Sequence, residues 1–437
     1  MRRLAIALLT GIAVLGLGAG SVLAQDDTAT DEVPPVDVLQ VDGFIDHVVA
    51  NEIIAAVERV ATNGSQALIL QVDSGGSVID NDELLDVLEV VDESVVPIAV
   101  WVGPTGAHLY GGAVHLLGVA DVSGMAPGAK VGHLDTSLTG PDAAGATRIA
   151  PLANQTVGLT EARQLGVFDQ RVSDEGIATI ANMLDALDGY TDGDIVLETT
   201  IEVVTDEGTV QRNTVAVPRF SKLGLFDQLL HTVASPPVAY LLLLTGLALL
   251  IFEFFTAGIG VAGVVGAAST LLAGYGIAEL PGRAWAVALI VAAMVAFAVD
   301  VQVGIPRTWT GVGIALTIVG SLWLFEPLPG VSLRPPWLSL IVGIGGVMLT
   351  FTAGMPSMTR TRFATPTIGR EWMIGAEGVV VERVGPDGVV TVGGADWRAR
   401  TNRATPVEVG EVIRVTAIDG VTLEVEPLEG AARDYRR

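Results

Sequence analysis

Long runs of apolar residues fill most of positions 238–355, and they constrain this chain more than any other feature. A helix of about 20 apolar residues matches the hydrocarbon core of a bilayer, which is about 30 Å thick. The first run, VAYLLLLTGLALLIFEFF (238–255), contains a single charge, Glu253. Four further runs follow at Gly258–Ile277, Ala284–Val299, Trp309–Phe325 and Trp337–Met355. We therefore predict about five transmembrane helices, packed as an all-α bundle, over residues 238–355.

The net charge of −25 is carried by residues 25–234, which contain 33 acidic and 8 basic side chains, while the rest of the chain is balanced. Such an acidic domain repels phosphate backbones, which argues against non-specific binding to nucleic acid. Cysteine is absent, which excludes disulfides, a thiolate nucleophile and cysteine-ligated metals. The only lysines are Lys130 and Lys222, so any mechanism with a lysine base must use one of these two.

The amino terminus has the layout of a secretory signal peptide. Residues 1–24 begin with two arginines after Met1, continue as a short apolar run and end in the small residue Ala24. This arrangement is typical of a signal that is removed. The alternative is an uncleaved anchor helix. Residues 25–35 are polar and acidic and end in two prolines, so we predict an acidic linker there.

A folded domain is predicted over residues 36–220. Apolar segments with strand-like patterns alternate with segments of helical periodicity: 36–46, 48–61, 66–73, 82–91, 97–103 and 108–117. Alternating strands and helices with near-continuous apolar strands are typical of a mostly parallel sheet covered on both faces. The predicted fold class is therefore α/β. Residues 221–237 are interpreted as a juxtamembrane segment.

The segment after the last span, residues 367–430, contains about five short alternating strands divided by glycine-rich turns. This pattern predicts a small five-stranded β-barrel. Barrels that bind single-stranded nucleic acid need a basic groove and exposed aromatic rings. Residues 355–437 have 11 basic, 12 acidic and only four aromatic side chains. We therefore expect the barrel to contact protein and not nucleic acid.

Two independent signals predict the same orientation in the membrane. A cleaved signal peptide places the acidic domain outside the cytoplasm, and five crossings then bring the carboxyl terminus inside. The segment after the last span begins with Arg360, Arg362 and Arg370 before its first acid, Glu371, in agreement with the positive-inside rule. We expect a multi-pass protein of the cell membrane, with an extracytoplasmic amino-terminal domain and a cytoplasmic barrel.

Several motifs, in this order, resemble the long form of the NfeD family. They are Asp-Ser-Gly-Gly (73–76), GPTGAHLYGGAVHLLGVADVSGMAPGAKVG (103–132) and FSKLGLFDQLLHTVASPPVAYLLLLTGLALLIFEFF (220–255), followed by the barrel. The resemblance spans nearly the whole mature chain. It implies an α/β domain of the ClpP/crotonase type, a multi-span membrane region and a carboxyl-terminal OB-fold.

In active relatives, as the resemblance implies, the α/β domain is a serine protease with a Ser–Lys dyad. The family's nucleophile position falls on Gly111, which has no side chain. The family's lysine belongs to an interval that corresponds to Pro141–Asn154, where the only cation is Arg148. Arginine cannot act as the base because its pKa is too high, and Lys130 and Lys222 do not match the motif. We therefore predict no catalytic residues here.

Gly75 and Gly76 fall where the family uses backbone amides as an oxyanion hole. They could still form an anion-binding nest. The alternative, which we favour, is a tight strand-to-helix turn that requires positive φ. Ser74 belongs to the same turn. Ser123 is interpreted as a structural hydroxyl, because it has no candidate base other than histidine.

Other candidate sites have weaker patterns. His133, Asp135 and Ser137 contain the residue types of a catalytic triad, but their spacing is that of a surface loop without a nucleophile-elbow motif. His108 and His115 are predicted on one helix face, without a third ligand for zinc. The acidic run NDELLDVLEVVDE (81–93) lacks the pattern of a calcium loop and is interpreted as an amphipathic helix, with Leu84, Leu85, Val87, Leu88 and Val91 inward. We expect no metal and no cofactor.

Three hypotheses of function follow. The first is a catalytically inactive serine protease homologue, anchored in the lipid bilayer, that acts as a scaffold or partner of a stomatin- or flotillin-like (SPFH) protein, as the resemblance implies. The alternative is an active membrane-bound serine endopeptidase that cleaves hydrophobic segments. The third is a ligand-binding relic in which Gly75 and Gly76 bind a peptide carboxylate or carbonyl group. Association into a homo-oligomer is a further expectation.

Overall fold

The computed structural model describes residues 33–138, 145–168, 175–193, 195–204, 210–255, 260–303, 307–329, 331–357, 370–402 and 405–429. The predicted signal peptide (1–24) and most of the predicted acidic linker (25–35) lie outside these ranges. Three parts follow in chain order: an α/β domain, a set of apolar helices and a closed β-barrel. The predicted fold class is confirmed for each part.

The α/β domain is built on one large sheet. The strands of this domain are β1 (Val36–Ile45), β2 (Ala67–Ser77), β3 (Ile98–Val102), β4 (His108–Gly111), β5 (Val122–Met125), β6 (Lys130–Leu134), β7 (Thr156–Gly158), β8 (Thr191–Asp192), β9 (Ile195–Val196), β10 (Thr200–Val204), β11 (Val210–Thr214) and β12 (Pro218–Ser221). Strands β8 and β9 pair with each other, as do β10 and β11, outside the large sheet. Its helices are α1 (His47–Asn63), α2 (Asn81–Asp92), α3 (Leu116–Val119), α4 (Ala146–Ile149), α5 (Leu159–Gln164), α6 (Ile180–Leu187) and α7 (Leu225–Val233). The large sheet has the order β12-β1-β2-β4-β6-β7, with β3 beside β2 and β5 beside β3.

The large sheet is mostly parallel, as predicted, because its central strands are apolar on both faces and are covered by helices. Its strands pair in parallel except for β6 and β7. Every residue of β3 is buried. Helix α2 buries Leu84, Val87, Leu88 and Val91 on one face, which confirms the amphipathic helix predicted for 81–93. Leu85, which was expected inside, is 39% exposed.

The helix predicted over 108–117 is wrong in its first half. Residues His108–Gly111 form β4, which pairs with β2 and β6. A 3-10 turn (Gly112–His115) and the short α3 follow. Burial alternates along β4, with Leu109 buried between the part-exposed His108 and Tyr110. Pairing with distant strands therefore outweighs the local helical pattern.

The membrane region contains α8 (Pro236–Phe255), α9 (Val261–Glu279), α10 (Ala284–Val303), α11 (Thr308–Leu322) and α12 (Trp337–Leu349). Within the described ranges, four helices are long and apolar enough to cross a bilayer, and the last of them continues to Ser357. Helix α11 is apolar but has only 15 residues, or about 22 Å at about 1.5 Å per residue. All five predicted segments contain a helix, and the number of crossings stays a prediction.

Helix α7 joins the α/β domain to the membrane helices through His231. Its Nδ1 atom lies 2.7 Å from Asp46 Oδ2, and its Nε2 atom lies 2.9 Å from the Asp42 carbonyl oxygen. Burial lowers the pKa of His231, but the hydrogen bond to Asp46 and the charges of both carboxylates outweigh it and hold that pKa above its ordinary value. His47 Nε2 lies 3.8 Å from Glu279 Oε2 at the end of α9. The α/β domain therefore packs against this end of the membrane helices.

The carboxyl-terminal barrel is closed by five strands, as predicted. They are β13 (Glu377–Glu382), β14 (Asp387–Val392), β15 (Ala395–Arg400), β16 (Val412–Asp419) and β17 (Thr422–Pro427). The order around the barrel is β13-β14-β15-β17-β16. Aliphatic side chains fill the interior, among them Val380, Val390, Ile413 and Leu423. Exposed and buried residues alternate along β13 and the first half of β16, as expected for a barrel wall.

Candidate functional site

The glycine pair Gly75–Gly76 lies inside β2, near its carboxyl end. Gly43 pairs with Ser74 and Phe44 pairs with Gly76, so Gly75 is the extra residue of a β-bulge. Gly76 has a φ of +137°, a backbone conformation that favours glycine. The positive φ agrees with the sequence, but the predicted strand-to-helix turn is wrong, because pairing with β1 continues past the glycines.

The backbone amide of Gly76 is already hydrogen-bonded within the chain. Its N–H group donates to Ser74 Oγ at 3.2 Å, and the Ser74 hydroxyl donates to the Gly76 carbonyl oxygen at 3.1 Å. Ser74 itself is fully buried. An oxyanion hole needs amides that point at the developing charge. An anion at this amide would therefore have to displace the Ser74 hydroxyl.

Gly111 ends β4 directly beside Gly76. Its backbone has φ +58° and ψ −136°, a conformation that residues with a side chain rarely adopt. A Cβ atom at Gly111 would lie 3.4 Å from the Gly76 Cα atom. The structure thus brings together two positions that the family resemblance linked. A strained strand-to-helix turn of this kind can present a nucleophile, but glycine offers no hydroxyl.

Neither lysine lies near Gly111. Lys130 begins β6 and pairs with His108, which precedes Gly111 by about 10 Å along β4 at the usual rise of a strand. Its side chain is exposed. Lys222 follows β12, which β1 and β2 separate from β4, a distance of about 14 Å across the sheet. A hydroxyl placed at position 111 would therefore have no lysine base.

Arg148 has a structural role at the end of α3. Its guanidinium group donates hydrogen bonds to the carbonyl oxygens of Leu117, Gly118 and Ala120. The last carbonyls of a helix have no partner within the helix, so this side chain caps it. Arg148, the cation of the predicted interval Pro141–Asn154, is therefore occupied by these hydrogen bonds. Residues 141–144 of that interval lie outside the described part of the chain.

Sequence reasoning missed a cluster of polar rings beside the carboxyl end of β2. His108 Nδ1 lies 2.7 Å from Asp73 Oδ1, and the His108 backbone N–H donates to the same oxygen. The Tyr110 ring centroid lies 5.0 Å from that of His108 and 5.9 Å from that of His133. A signal was present in the sequence, because His108 and Tyr110 are two residues apart and would share one face of a strand.

Charge couples the groups of this cluster. Burial alone would raise the pKa of Asp73, but the hydrogen bonds from His108 outweigh it and hold that pKa below its usual value. Burial and the charge of Asp73 raise the pKa of Tyr110 and of Asp42. An aspartate that orients a histidine is one half of a proton-transfer system. The neighbouring hydroxyl on β2, that of Ser74, is directed at Gly76 instead.

The triad considered at positions 133, 135 and 137 does not assemble. Asp135 Oδ1 accepts a hydrogen bond from the Ser137 backbone N–H at 2.9 Å. The Ser137 hydroxyl oxygen accepts one from Asn81 Nδ2 at 3.2 Å. The His133 ring packs against Tyr110. Each of the three side chains is therefore engaged in a separate contact.

The remaining candidates are structural. His108 lies on β4 and His115 on the following 3-10 turn, so the shared helix face predicted for them is wrong. His115 Nε2 lies 2.8 Å from the Asp135 carbonyl oxygen, and burial lowers its pKa. Ser123 is fully buried in β5. Within the described residues, no group of three histidine or carboxylate side chains is placed to hold a metal ion.

Two parts of the chain match the NfeD family directly. Residues 237–355 match its "NfeD integral membrane domain", and residues 370–427 match its "NfeD-like C-terminal, partner-binding domain". The membrane-bound protease PH1510 of Pyrococcus horikoshii is 26% identical over 414 residues, which cover 89% of this chain and 92% of that relative. This chain is a long-form member of the NfeD family. The resemblance inferred from the motifs is thus confirmed.

Two solved structures from Pyrococcus horikoshii resemble parts of this NfeD-family chain. The 1510-N membrane protease specific for a stomatin homolog is 17% identical, and the match covers 46% of this chain and 98% of that structure with a TM-score of 0.33. The C-terminal domain of the stomatin operon partner protein 1510-C is 43% identical, and the match covers 14% of this chain and 94% of that structure with a TM-score of 0.13. The barrel of this chain, at residues 370–427, matches the NfeD partner-binding domain.

Proposed function

We propose that this NfeD-family chain is a catalytically silent protease homologue that holds a stomatin- or flotillin-like (SPFH) partner at the membrane. The observation that supports this proposal most directly is made at Gly111. The backbone there forms a strained turn beside Gly76, but the residue has no hydroxyl. Nucleophilic catalysis needs a nucleophile and a base that are held together. In this chain the hydroxyl is missing at position 111 and both lysines lie away from it.

The proposal assigns partner binding to the barrel. Residues 370–427 match a domain described as partner-binding, and the family resemblance implies an SPFH protein as the partner. The barrel is not suited to nucleic acid, because its segment lacks a basic excess and has few aromatic residues. These observations favour a protein partner that lies on the same side of the membrane as the barrel.

A strip of exposed valines is the proposed contact surface on the barrel. Val379 and Val381 on β13 and Val412 on β16 are 46%, 49% and 44% exposed. Val379 lies opposite Val412 in the ladder, so the side chains are neighbours. We call these three residues the valine strip. Contiguous apolar surface on a small domain is typical of a protein contact, and here it lies on the domain that the family uses for its partner.

The proposed orientation has the α/β domain outside the cytoplasm and the barrel inside. The α/β domain contacts the end of α9 through His47 and Glu279, so it lies on the side where α9 ends. If α10, α11 and α12 each cross once, the chain then leaves α12 on the opposite side. The arginines that follow α12 support a cytoplasmic location for the barrel.

The alternative function is a working serine endopeptidase that cleaves hydrophobic segments. The name of PH1510, a membrane-bound protease 26% identical over 89% of this chain, favours it. Such an enzyme would need a hydroxyl from outside position 111 and would use the Asp73–His108 pair as its base. The ligand-binding hypothesis for Gly75 and Gly76 is weakened by Ser74, which occupies the Gly76 amide. Homo-oligomer formation stays a prediction.

Co-purification tests the scaffold function. The full chain carries an affinity tag, is extracted from its native membranes in a mild detergent and is purified at near-physiological salt. We expect an SPFH protein to remain bound and to be identified by mass spectrometry. An unrelated multi-pass membrane protein of similar abundance, treated in the same way, is the control. Repeated recovery of the full chain without any SPFH protein would contradict the proposed partner.

A further inference from the structure

The space in front of Gly76 and Gly111 is filled by the chain's own loop between α11 and α12. We define the loop tip as Leu328, Pro329 and Val331. A Cβ atom at Gly111 would lie 3.8 Å from Val331 Cγ2 and 3.9 Å from the Pro329 carbonyl oxygen. A Cβ atom at Gly76 would lie 3.9 Å from the same Val331 methyl group. The loop tip therefore lies against both glycines.

The loop tip is held in a turn. The Val331 backbone N–H donates to the Leu328 carbonyl oxygen at 3.0 Å, and the two residues form an antiparallel bridge. Pro329 follows Leu328 in the tip. The proline ring fixes the backbone φ of its own residue, which restricts the conformations open to the tip. A turn formed in advance loses little conformational entropy when it docks.

The base of the same loop is tied to the turn between α9 and α10. The Glu326 backbone N–H donates to the Pro281 carbonyl oxygen at 2.8 Å, and the Arg283 backbone N–H donates to the Leu324 carbonyl oxygen at 2.8 Å. Arg283 Nε also lies 3.6 Å from Glu326 Oε1. The loop is thus anchored in the membrane region while its tip contacts the α/β domain.

Apolar side chains surround the contact. Phe44 on β1 and Val78, the residue after β2, pack with Leu328 against the apolar cluster of the membrane region. The Phe44 ring also covers Gly75, whose Cβ position would lie 3.1 Å from the ring. In parallel α/β sheets, ligands bind in the crevice outside the carboxyl ends of the strands. The loop tip lies in the crevice of this sheet.

We infer that the crevice at Gly76 and Gly111 is an intramolecular binding site for the loop tip, and that this contact fastens the α/β domain to the membrane region. A Cβ atom at either glycine would be in ordinary van der Waals contact with the loop tip, so the tip fits against this surface without overlap. A peptide in solution would have to displace a segment of the same chain, whose effective concentration is about millimolar. The inference goes beyond the scaffold function, because this contact lies within one chain and requires neither a bound SPFH protein nor a catalysed reaction.

Disulfide trapping tests this contact in the full chain, which has no native cysteine. One variant carries Gly111→Cys and Val331→Cys, with a protease site inserted between β10 and β11. A cysteine sulfur at position 331 would lie near the place of Val331 Cγ2, which is 3.8 Å from a Cβ atom at Gly111, so a small side-chain adjustment brings the pair to disulfide geometry. After mild oxidation in membranes and cleavage, we expect the two fragments to stay joined until a reductant is added.

The matched control carries Gly111→Cys with Ser332→Cys, since Ser332 is the next residue and is exposed. We expect a trapped fraction about tenfold lower than in the first variant, because a disulfide forms only within a narrow range of separations. Equal trapping in the two variants, or no trapping in a first variant that limited proteolysis shows to be folded, would overturn the inference. Both outcomes are independent of whether an SPFH protein co-purifies.

Thiol labelling gives a second readout that leaves the α/β domain unchanged. Val331 is part-buried whereas Ser332 is exposed. In folded protein, the Val331→Cys variant is expected to react with a maleimide about tenfold more slowly than the Ser332→Cys variant, since the docked tip must open first. The two rates should become equal after unfolding. Equal rates in the folded protein would also overturn the inference.

Discussion

Charges introduced into the valine strip are expected to release the SPFH partner. In a full chain with Val379→Glu and Val412→Glu, we expect the amount of partner recovered per chain to fall about a hundredfold, because each buried valine contributes about 1.5 kcal/mol and about 1.4 kcal/mol is a factor of ten. The two carboxylates would lie opposite each other on β13 and β16, and binding would have to desolvate both. Quantitative mass spectrometry of the co-purified material measures the loss.

Val421→Glu is the matched control for the valine strip. Val421 is 65% exposed and lies between β16 and β17, so this variant should keep the partner. The double variant should leave the barrel folded, because Val380 and Ile413 fill the interior from the opposite face of the same strands. Thermal unfolding checks this point. Undiminished recovery of the partner by a folded double variant would exclude the valine strip as the contact surface.

Replacing Arg148 by alanine is expected to destabilise the α/β domain by about 2–3 kcal/mol, since removing a charged donor leaves part-buried carbonyl oxygens without a partner. The acceptors are the carbonyl oxygens of Leu117, Gly118 and Ala120. For a domain of this size, such a loss lowers the melting temperature by about 5–10 °C. Limited proteolysis of the full chain in detergent, over a range of temperatures, measures the shift.

Two further variants distinguish the effect of the Arg148 hydrogen bonds on stability from the effect of its positive charge. Arg148→Lys keeps the positive charge but lacks the planar fork of donors, so it should recover only part of the lost stability. Arg59→Ala removes an exposed partner of Glu52 on α1 and should change the free energy of unfolding by less than about 1 kcal/mol. If Arg148→Ala unfolded at the same temperature as the unaltered chain, the capping role of Arg148 would be wrong.

The membrane helices and the barrel could be predicted because their patterns are local. Long apolar runs predict spans from composition alone, and short alternating segments with glycine turns predict a small barrel. The parallel sheet was predictable for a related reason, since β2 and β3 are continuous apolar segments that alternate with helices. The sequence pattern that indicates each helix or strand is contained in a window of about 20 residues or fewer.

The candidate site depends on contacts between distant residues, and these have no local pattern. Gly111 was assigned to a helix because its neighbours have helical spacing, whereas pairing with β2 and β6 makes it the end of a strand. Asp73 and His108 meet only because β2 and β4 are adjacent. Val331 reaches Gly111 from the membrane region, far along the chain. Such contacts are set by tertiary packing, which outweighs local propensity.

Labelling with a fluorophosphonate probe is the sharpest test of catalytic silence. The probe reacts covalently with a serine hydroxyl that a base has activated. The full chain is purified with its membrane region, and an NfeD relative with both residues of the dyad is the positive control. We expect no more label than in heat-denatured chain, because position 111 has no hydroxyl and no lysine lies beside it. A labelled serine in the folded chain, with the label lost when that serine is changed to alanine, would contradict this expectation.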